Sequence, residues 1–386
     1  MALTYKDLSD KYNAFQEPVV ELQVGDKLIN SNKKNIGISN LVVDLTSGFE
    51  ASQCTYSLYN CYHHPTGRFV FDTVKDFCLI GSPVTLSMGY DTTVKNVFKG
   101  VITKVTFHIE DADEPHIEVT CMDVKGVMMA SQYHKQMKAG SYAEVIKEMF
   151  KSGVYQSLQN SGVIDEVKIS DTPDTDKTPN QGGQKPETDV TIEMVEESDY
   201  EFVVKAAKKY NYEFFSVGGT VVFRKAKEDT SKLIGINPRA KIKMINVDYD
   251  VTGLVGKMEV RGLDIDKAKP LSATRKNTNS VSLGSKAKSL IADSEYVYVD
   301  PTIRSKDEAT HRLDYLMEDM TYRYGTLEMD IIGLPDLIPG RFMELEEMGA
   351  GISNKFYICN VRHTMDENGE FTTRVTGKAA KAGSSE

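Results

Sequence analysis

From residue 18 to about 130, apolar and polar positions alternate in short runs. VVELQV, LVVDL, CTYSLYN, RFVFD, PVTLSM, KGVITKVTFHI and HIEVTCM are separated by Gly, Pro, Asn or Asp. A period of two over four to eight residues predicts a half-buried strand. Several such strands with turn signals between them predict a small barrel or sandwich, here the first β domain, residues 1–130.

The period then changes. SYAEVIKEMF has Ser141 and Glu144 at capping-box spacing and one apolar stripe through Val145, Ile146, Met149 and Phe150, with Gly153 placed to end the helix. ESDYEFVVKAAKKYN repeats the device with Ser198 and Glu201, turning Phe202, Val203, Ala206 and Tyr210 inward. YEFFSVGGTVVF follows as two strands about a Gly-Gly turn, a hairpin. A third box, Ser305 with Glu308, opens a helix through Ala309, Leu313, Leu316, Met317 and Met320 that ends near Gly325. Two polar stretches interrupt these elements: SDTPDTDKTPNQGGQKPETD (170–189), predicted to be disordered, and the basic loop 266–289.

One phrase is written twice. CLIGSPVTLSMGYDTTVKNVFKGVITKVTFH (78–108) and LPDLIPGRFMELEEMGAGISNKFYICNVRH (334–363) each place Gly or Pro-Gly before a short alternating strand, then a polar turn and a second strand. Ile102 and Val105 match Ile358 and Val361, and a third alternating strand follows each, HIEVTCM and EFTTRVT. The repeat is one of shape, with few identities. Strands KIKMINVDYDV and GKMEVRGLDI, the third helix and the second phrase are expected to build a second β domain, residues 240–386, with 131–239 as a helical and α/β insert.

Length and charge narrow the function. A chain of 386 residues makes two or three domains, and a net charge of −10 with a pI near 5.4 argues against coating nucleic acid. The start, MALTYKDLSDKYNAF, carries charges where a signal peptide needs an apolar core, and no apolar run approaches membrane-spanning length. Cytoplasmic synthesis without a membrane anchor is the expectation. Five Cys at irregular spacing (Cys54, Cys61, Cys78, Cys121, Cys359) fit reduced thiols better than a disulfide framework.

Candidate chemistry is sparse. Cys54, Cys61, His63 and His64 lie within eleven residues, yet Cys-x6-Cys with adjacent His is not a zinc-site spacing, and strand alternation should send the two Cys to opposite faces. GLVGKM holds Lys257 without the spacing or the Ser/Thr of a phosphate loop. Gly-x-Ser-x-Gly and His-Glu-x-x-His do not occur. HIEDADEPH and LMEDM supply carboxylates that read equally as a solvated turn and a helix face. Lys267, Lys269, Arg275, Lys276, Lys286 and Lys288 could meet an acidic partner but read first as a solvated linker. No catalytic, cofactor or metal-binding residue is assigned, and specific nucleic-acid recognition is not expected.

ESDYEFVVKAAKKYNYEFFSVGGTVVFRK (197–225) closely resembles, and GLPDLIPGRFMELEEMGAGISNKFYICNVRHTMDENGEF (333–371) and FKGVITKV (98–105) resemble, segments of the phage late control gene D and VgrG-type proteins. The resemblance spans residues 20–377. It implies a β-rich α+β chain with two similar tube-like β-barrels joined by α/β insert segments, acting as the central baseplate hub of a contractile injection machine: a phage tail, a tailocin or a related particle. Such a hub is a homotrimer that adapts a hexameric tail tube to a trimeric spike and meets baseplate wedge proteins, assembled in the bacterial cytoplasm. After FTTRVTGK only AAKAGSSE remains, so a complete natural chain would need a separate spike polypeptide, which favours a phage-type hub over VgrG proper. Two readings stay open beside it: a cell-wall polysaccharide hydrolase using a carboxylate pair, and a monomeric β-rich binding module.

Overall fold

Strand alternation is realised in one large sheet. The computed structural model describes residues 2–30, 37–111, 113–151, 153–173, 191–264, 267–279 and 286–383. Among the described residues the sheet has fourteen strands: the short flanking strands Leu3–Thr4 and Lys27–Asn30, and β1 Pro18–Val24, β2 Gly37–Thr46, β3 Gln53–Tyr59, β4 Pro83–Tyr90, β5 Thr93–His108, β6 His116–Met122, β7 Lys232–Ile236, β8 Ile242–Tyr249, β9 Gly325–Ile332, β10 Phe342–Leu345, β11 Lys355–Met365 and β12 Phe371–Ala379. Along β6, Ile117, Val119 and Cys121 are buried while His116, Glu118 and Thr120 are partly exposed, the period-two pattern of a strand with one face on a core.

The pairing order is the same twice. The first unit runs β2-β3-β6-β5-β4 with β1 beside β4; the second runs β8-β9-β12-β11-β10 with β7 beside β10. Register agrees residue for residue. Ile102 lies opposite Cys121 and Val105 opposite Val119, with Thr103 bulged between them. Ile358 lies opposite Gly377 and Val361 opposite Val375, with Cys359 in the position of the bulge. The two glycines that open the phrase are equivalent too. Gly81 N–H donates to the Ile102 carbonyl at 2.8 Å, and Gly340 N–H to the Ile358 carbonyl at 3.0 Å, with φ of +87° and +81°. The shape repeat is therefore a topological repeat. It departs at the flank, where β1 meets β4 antiparallel and β7 meets β10 parallel.

The strand pairings of the described residues close neither unit into a barrel; the two are fused edge to edge instead. Residues 360–365 of β11 pair antiparallel with residues 41–46 of β2, and a single core runs through Val43, Tyr56, Ile102 and Val119 to Met329, Ile358 and Val375. Val105 packs against that core but is only half-buried, unlike Ile102, Ile358 and Val361.

Helices α1 Tyr5–Lys11, α2 Tyr142–Met149, α3 Gly153–Asn160, α4 Asp199–Tyr210 and α5 Lys306–Thr321 lie around the sheet. α4 has the complete capping box, Ser198 and Glu201 bonding reciprocally, and ends at Asn211 in the left-handed region. At the other two boxes the serine caps as expected, but the glutamate reaches one residue further back. Glu144 accepts from Gly140 N–H at 2.7 Å and Glu308 from Arg304 N–H at 2.8 Å. Gly153 opens α3 rather than closing α2, and α5 stops at Thr321, leaving Gly325 to begin β9. The Gly-Gly hairpin joins Tyr212–Val217 to Thr220–Lys225.

Other expectations change. In RFVFD only Arg68–Phe69 is strand, and a helical turn starts at Phe71. The basic loop contains a strand, Lys269–Lys276, antiparallel to Lys257–Asp264 in a separate three-stranded sheet with its own core of Met258, Val260, Leu313 and Met317. Only Leu271 and Ala273 turn inward there, too faint an apolar signal to read. Of the stretch 170–189, residues 174–189 lie outside the described residues, and Thr172 is buried, accepting Ala143 N–H at 3.0 Å.

Candidate assembly interface

The junction of the two units is built on β11. β11 changes partner along its length: residues 355–357 pair with β10, and where β10 ends, β2 takes over the same edge. Arg362 grips Asp44 across the pair with two hydrogen bonds of 2.5 and 3.1 Å. On the same face Arg374 holds Asp330 at 2.6 and 2.7 Å, keeping that carboxyl below its ordinary pKa. Bidentate Arg–carboxylate pairs fix register through their planar geometry.

On the core face His363 is fully buried opposite Val43. Thr373 Oγ1 accepts Leu334 N–H at 2.9 Å and lies 2.9 Å from His363 Nδ1, an arrangement that suits a neutral imidazole accepting the threonine proton. Burial drives the His363 pKa down to about 4.

Asp336, from LPDLIPG, ties three segments together. Its carboxylate accepts Tyr12 Oη at 2.6 Å, Lys95 Nζ at 2.9 Å and Lys11 Nζ at 3.2 Å. Burial alone would raise its pKa, but the Tyr12 hydroxyl and the Lys95 ammonium outweigh it and hold the carboxyl below its usual value. α1, β5 and the turn before β10 are thereby locked to one another. The signal was an isolated acid in an apolar run; its partners were not legible.

The residues weighed in the sequence do not converge. Cys54 is buried on β3. Cys61 is buried as well, contrary to the alternation argument, because it lies beyond the strand end, where Sγ donates to the Leu58 carbonyl at 3.2 Å. His63 and His64 are exposed, and no three His, Cys, Asp or Glu among the described residues are placed to share a metal ion. Lys257 pairs with Glu295 at 2.6 Å, Arg275 with Asp314 at 2.6 Å and Lys267 with Asp264 at 3.1 Å. Of the carboxylates in LMEDM, Glu318 accepts from Asn211 and Asp319 from Arg323.

A cleft of about 630 Å³ between α4 and α5 offers three carboxylates, Glu201, Glu308 and Asp300. All three sit below their ordinary pKa. Glu201 is held there by Ser198; for Glu308 and Asp300, hydrogen bonds from Arg304 N–H and the Thr302 hydroxyl override burial. A general acid for glycosidic cleavage needs the opposite shift.

Over residues 66–367 the sequence matches the family described as the Alg8 N-terminal domain. The chain belongs to that family. The description names a position in a protein and no reaction. No curated protein sequence matches the chain. Among solved structures it is similar to a tail protein from Neisseria meningitidis (TM-score 0.64, 12% identity, 94% of this chain and 97% of that one). It is similar as well to the 43 kDa tail protein of prophage MuSo2 from Shewanella oneidensis (0.64, 13%, 94% and 98%). An E. coli component of the type VI secretion system, itself described as similar to the T4 tail proteins gp27 and gp5, aligns at 0.52 and 10% identity over 92% and 76%. The chain thus shares its β-rich fold with phage tail and type VI secretion proteins, while the closed barrels implied by the sequence resemblance are not formed by the strand pairings of the described residues.

Proposed function

We propose that the chain is the central baseplate hub subunit of a contractile injection machine, a structural part and not an enzyme. The carrying observation is the pair of topologically equivalent units within one chain, matched to the bulge and the opening glycine and joined edge to edge. Three such chains present six like units to a six-fold tube and three copies of everything else to a three-fold spike. This supports a homotrimer adapting a hexameric tail tube to a separate trimeric spike, with wedge proteins around it. Residues 1–130 and 240–386 would supply the two tube-like barrels and 131–239 the insert between them. Assembly in the bacterial cytoplasm and a place in a virion or phage-tail-like particle follow from that reading.

A type VI hub of the VgrG kind is the nearest alternative, and the type VI likeness supports it at the level of fold. A hydrolase is supported less, because the cleft carboxylates all favour the ionised form. Electron microscopy of the chain with tube and spike proteins tests the proposal. Three hub copies between a six-fold ring and a three-fold spike are expected; six copies, or units unrelated by a rotation near 60°, would refute it.

A further inference from the structure

In the cleft between α4 and α5, two cations have no acid partner although the others do. The four basic side chains on its walls are Lys205, Lys208, Lys209 and Arg312. Lys205 is held by Glu197 and Lys209 by Glu308, each at 2.6 Å. The cleft carboxylates are engaged elsewhere. Glu201 closes the α4 cap, Glu308 also takes Arg304 N–H, and Asp300 takes the Thr302 amide and hydroxyl. Among the described residues no carboxylate lies within ion-pair distance of Lys208 or Arg312; Lys208 Nζ stands 5.3 Å from the Phe49 ring instead.

Arg312 is the sharper case. Of the three partly buried arginines among the described residues, Arg224 holds Glu213 and Arg341 holds Asp229, whereas Arg312 holds no acid. Its Nη1 donates to the Lys208 carbonyl at 3.3 Å and its Nη2 to Tyr298 Oη at 2.9 Å. Its Nε–H is buried and has no acceptor. The rings of Tyr298 and Tyr315 lie 4.9 and 5.3 Å from the guanidinium carbon and restrict its plane. A buried donor without an acceptor is a cost that a ligand oxygen removes, and a planar fork with unused N–H groups matches the two oxygens of a carboxylate.

We infer that this cleft docks a carboxylate carried on an acidic segment of a partner protein, gripped by Arg312 with Lys208 beside it. A volume of about 630 Å³ admits an acidic side chain with its neighbours, and Val204, Ile303, Tyr142 and Tyr200 give those neighbours apolar walls. Charge separates a protein acid from nucleic acid. Glu201, Glu308 and Asp300 are held in the ionised form on the same walls and would repel a run of phosphates, while a single carboxylate can meet the two free cations. α4 packs in the core of Phe202 and Phe223, and α5 in that of Met258 and Leu313, so a bound acid would touch two separately packed bodies and pin them together. The site goes beyond the hub reading and does not depend on it.

Two capped tripeptides titrated into the full chain test it: acetyl-Leu-Glu-Leu-amide and its Gln counterpart. By calorimetry the Glu peptide should bind about tenfold more tightly than the Gln peptide, because a hydrogen-bonded charge is all that separates them. Arg312→Gln should erase that difference, and Arg312→Lys, which keeps the charge without the fork, should retain part of it. Lys208→Gln should weaken the Glu peptide about threefold. The Arg312 Nε–H resonance of the unmodified chain guards against a variant that fails to fold: it should shift with the Glu peptide and not with the Gln peptide. Equal binding of the two peptides, no binding of the Glu peptide, or an Nε–H signal indifferent to it would overturn the site. Inorganic phosphate moving that signal at the same concentration would make it a general anion site, and tighter binding of a thymidine oligonucleotide there would point to nucleic acid. Either result would overturn a protein carboxylate as the occupant.

Discussion

His363 sits at the junction between Val43 and Thr373 in a form that cannot take up a proton without strain on the core around it. Its pKa of about 4 lies below the ordinary 6.5, so the unfolded chain binds the proton first as pH falls. Stability from this site is complete above about pH 6.5, declines through the window down to about pH 4, and changes no further below it; the whole span amounts to about 3 kcal/mol at most. Urea midpoints measured from pH 7 to pH 4 should fall steeply in the native protein and less in His363→Gln. The paired Asp336 titrates lower and leaves this window to the histidine. Packing residues give a second prediction. Ile102→Ala and Ile358→Ala, equivalent and fully buried, should each cost about 2–4 kcal/mol in denaturant unfolding. Exposed Lys104→Ala should leave the unfolding of a single copy nearly unchanged. Equal losses at Ile102 and Lys104 would mean the register is wrong.

Among the elements, α4 is the best terminated: a full capping box at one end and Asn211 at φ +59° at the other. Ser198→Ala removes the acceptor for Glu201 N–H and should cost about 1 kcal/mol, read as a lowered melting temperature. The two phrase-opening glycines should respond unequally. Both need positive φ, so alanine is strained by about 1–2 kcal/mol at either. A Cβ at Gly81 enters open space, while one at Gly340 would come within 2.4 Å of the Phe215 ring. Gly340→Ala should therefore lose more stability than Gly81→Ala, and near-equal losses would show that the hairpin at 212–225 does not press on this turn. The N-cap serines and both glycines were readable in the sequence because their cause is local. The inward strand at 269–276 was not, because two apolar positions in eight carry too little periodicity.

At the scale of the whole molecule, the proposed association of copies makes stability depend on the chain's own concentration. Binding between folded copies draws the equilibrium away from the unfolded chain, so the melting temperature of the purified protein should rise as concentration rises. A concentration-independent transition would indicate a self-sufficient single copy. The alternation along 18–130, the second phrase and the equivalence of Ile102 and Val105 with Ile358 and Val361 were determined by the sequence alone. Each is a statement about which face a side chain takes, and side-chain chemistry records faces. The exchange of partners along β11, its fusion with β2, the single core shared by both units and the burial of Cys61 were decided only in three dimensions. Strand edges are made of backbone N–H and C=O groups that every residue shares except proline, so a period of two says which way a side chain points and nothing about which strand lies alongside.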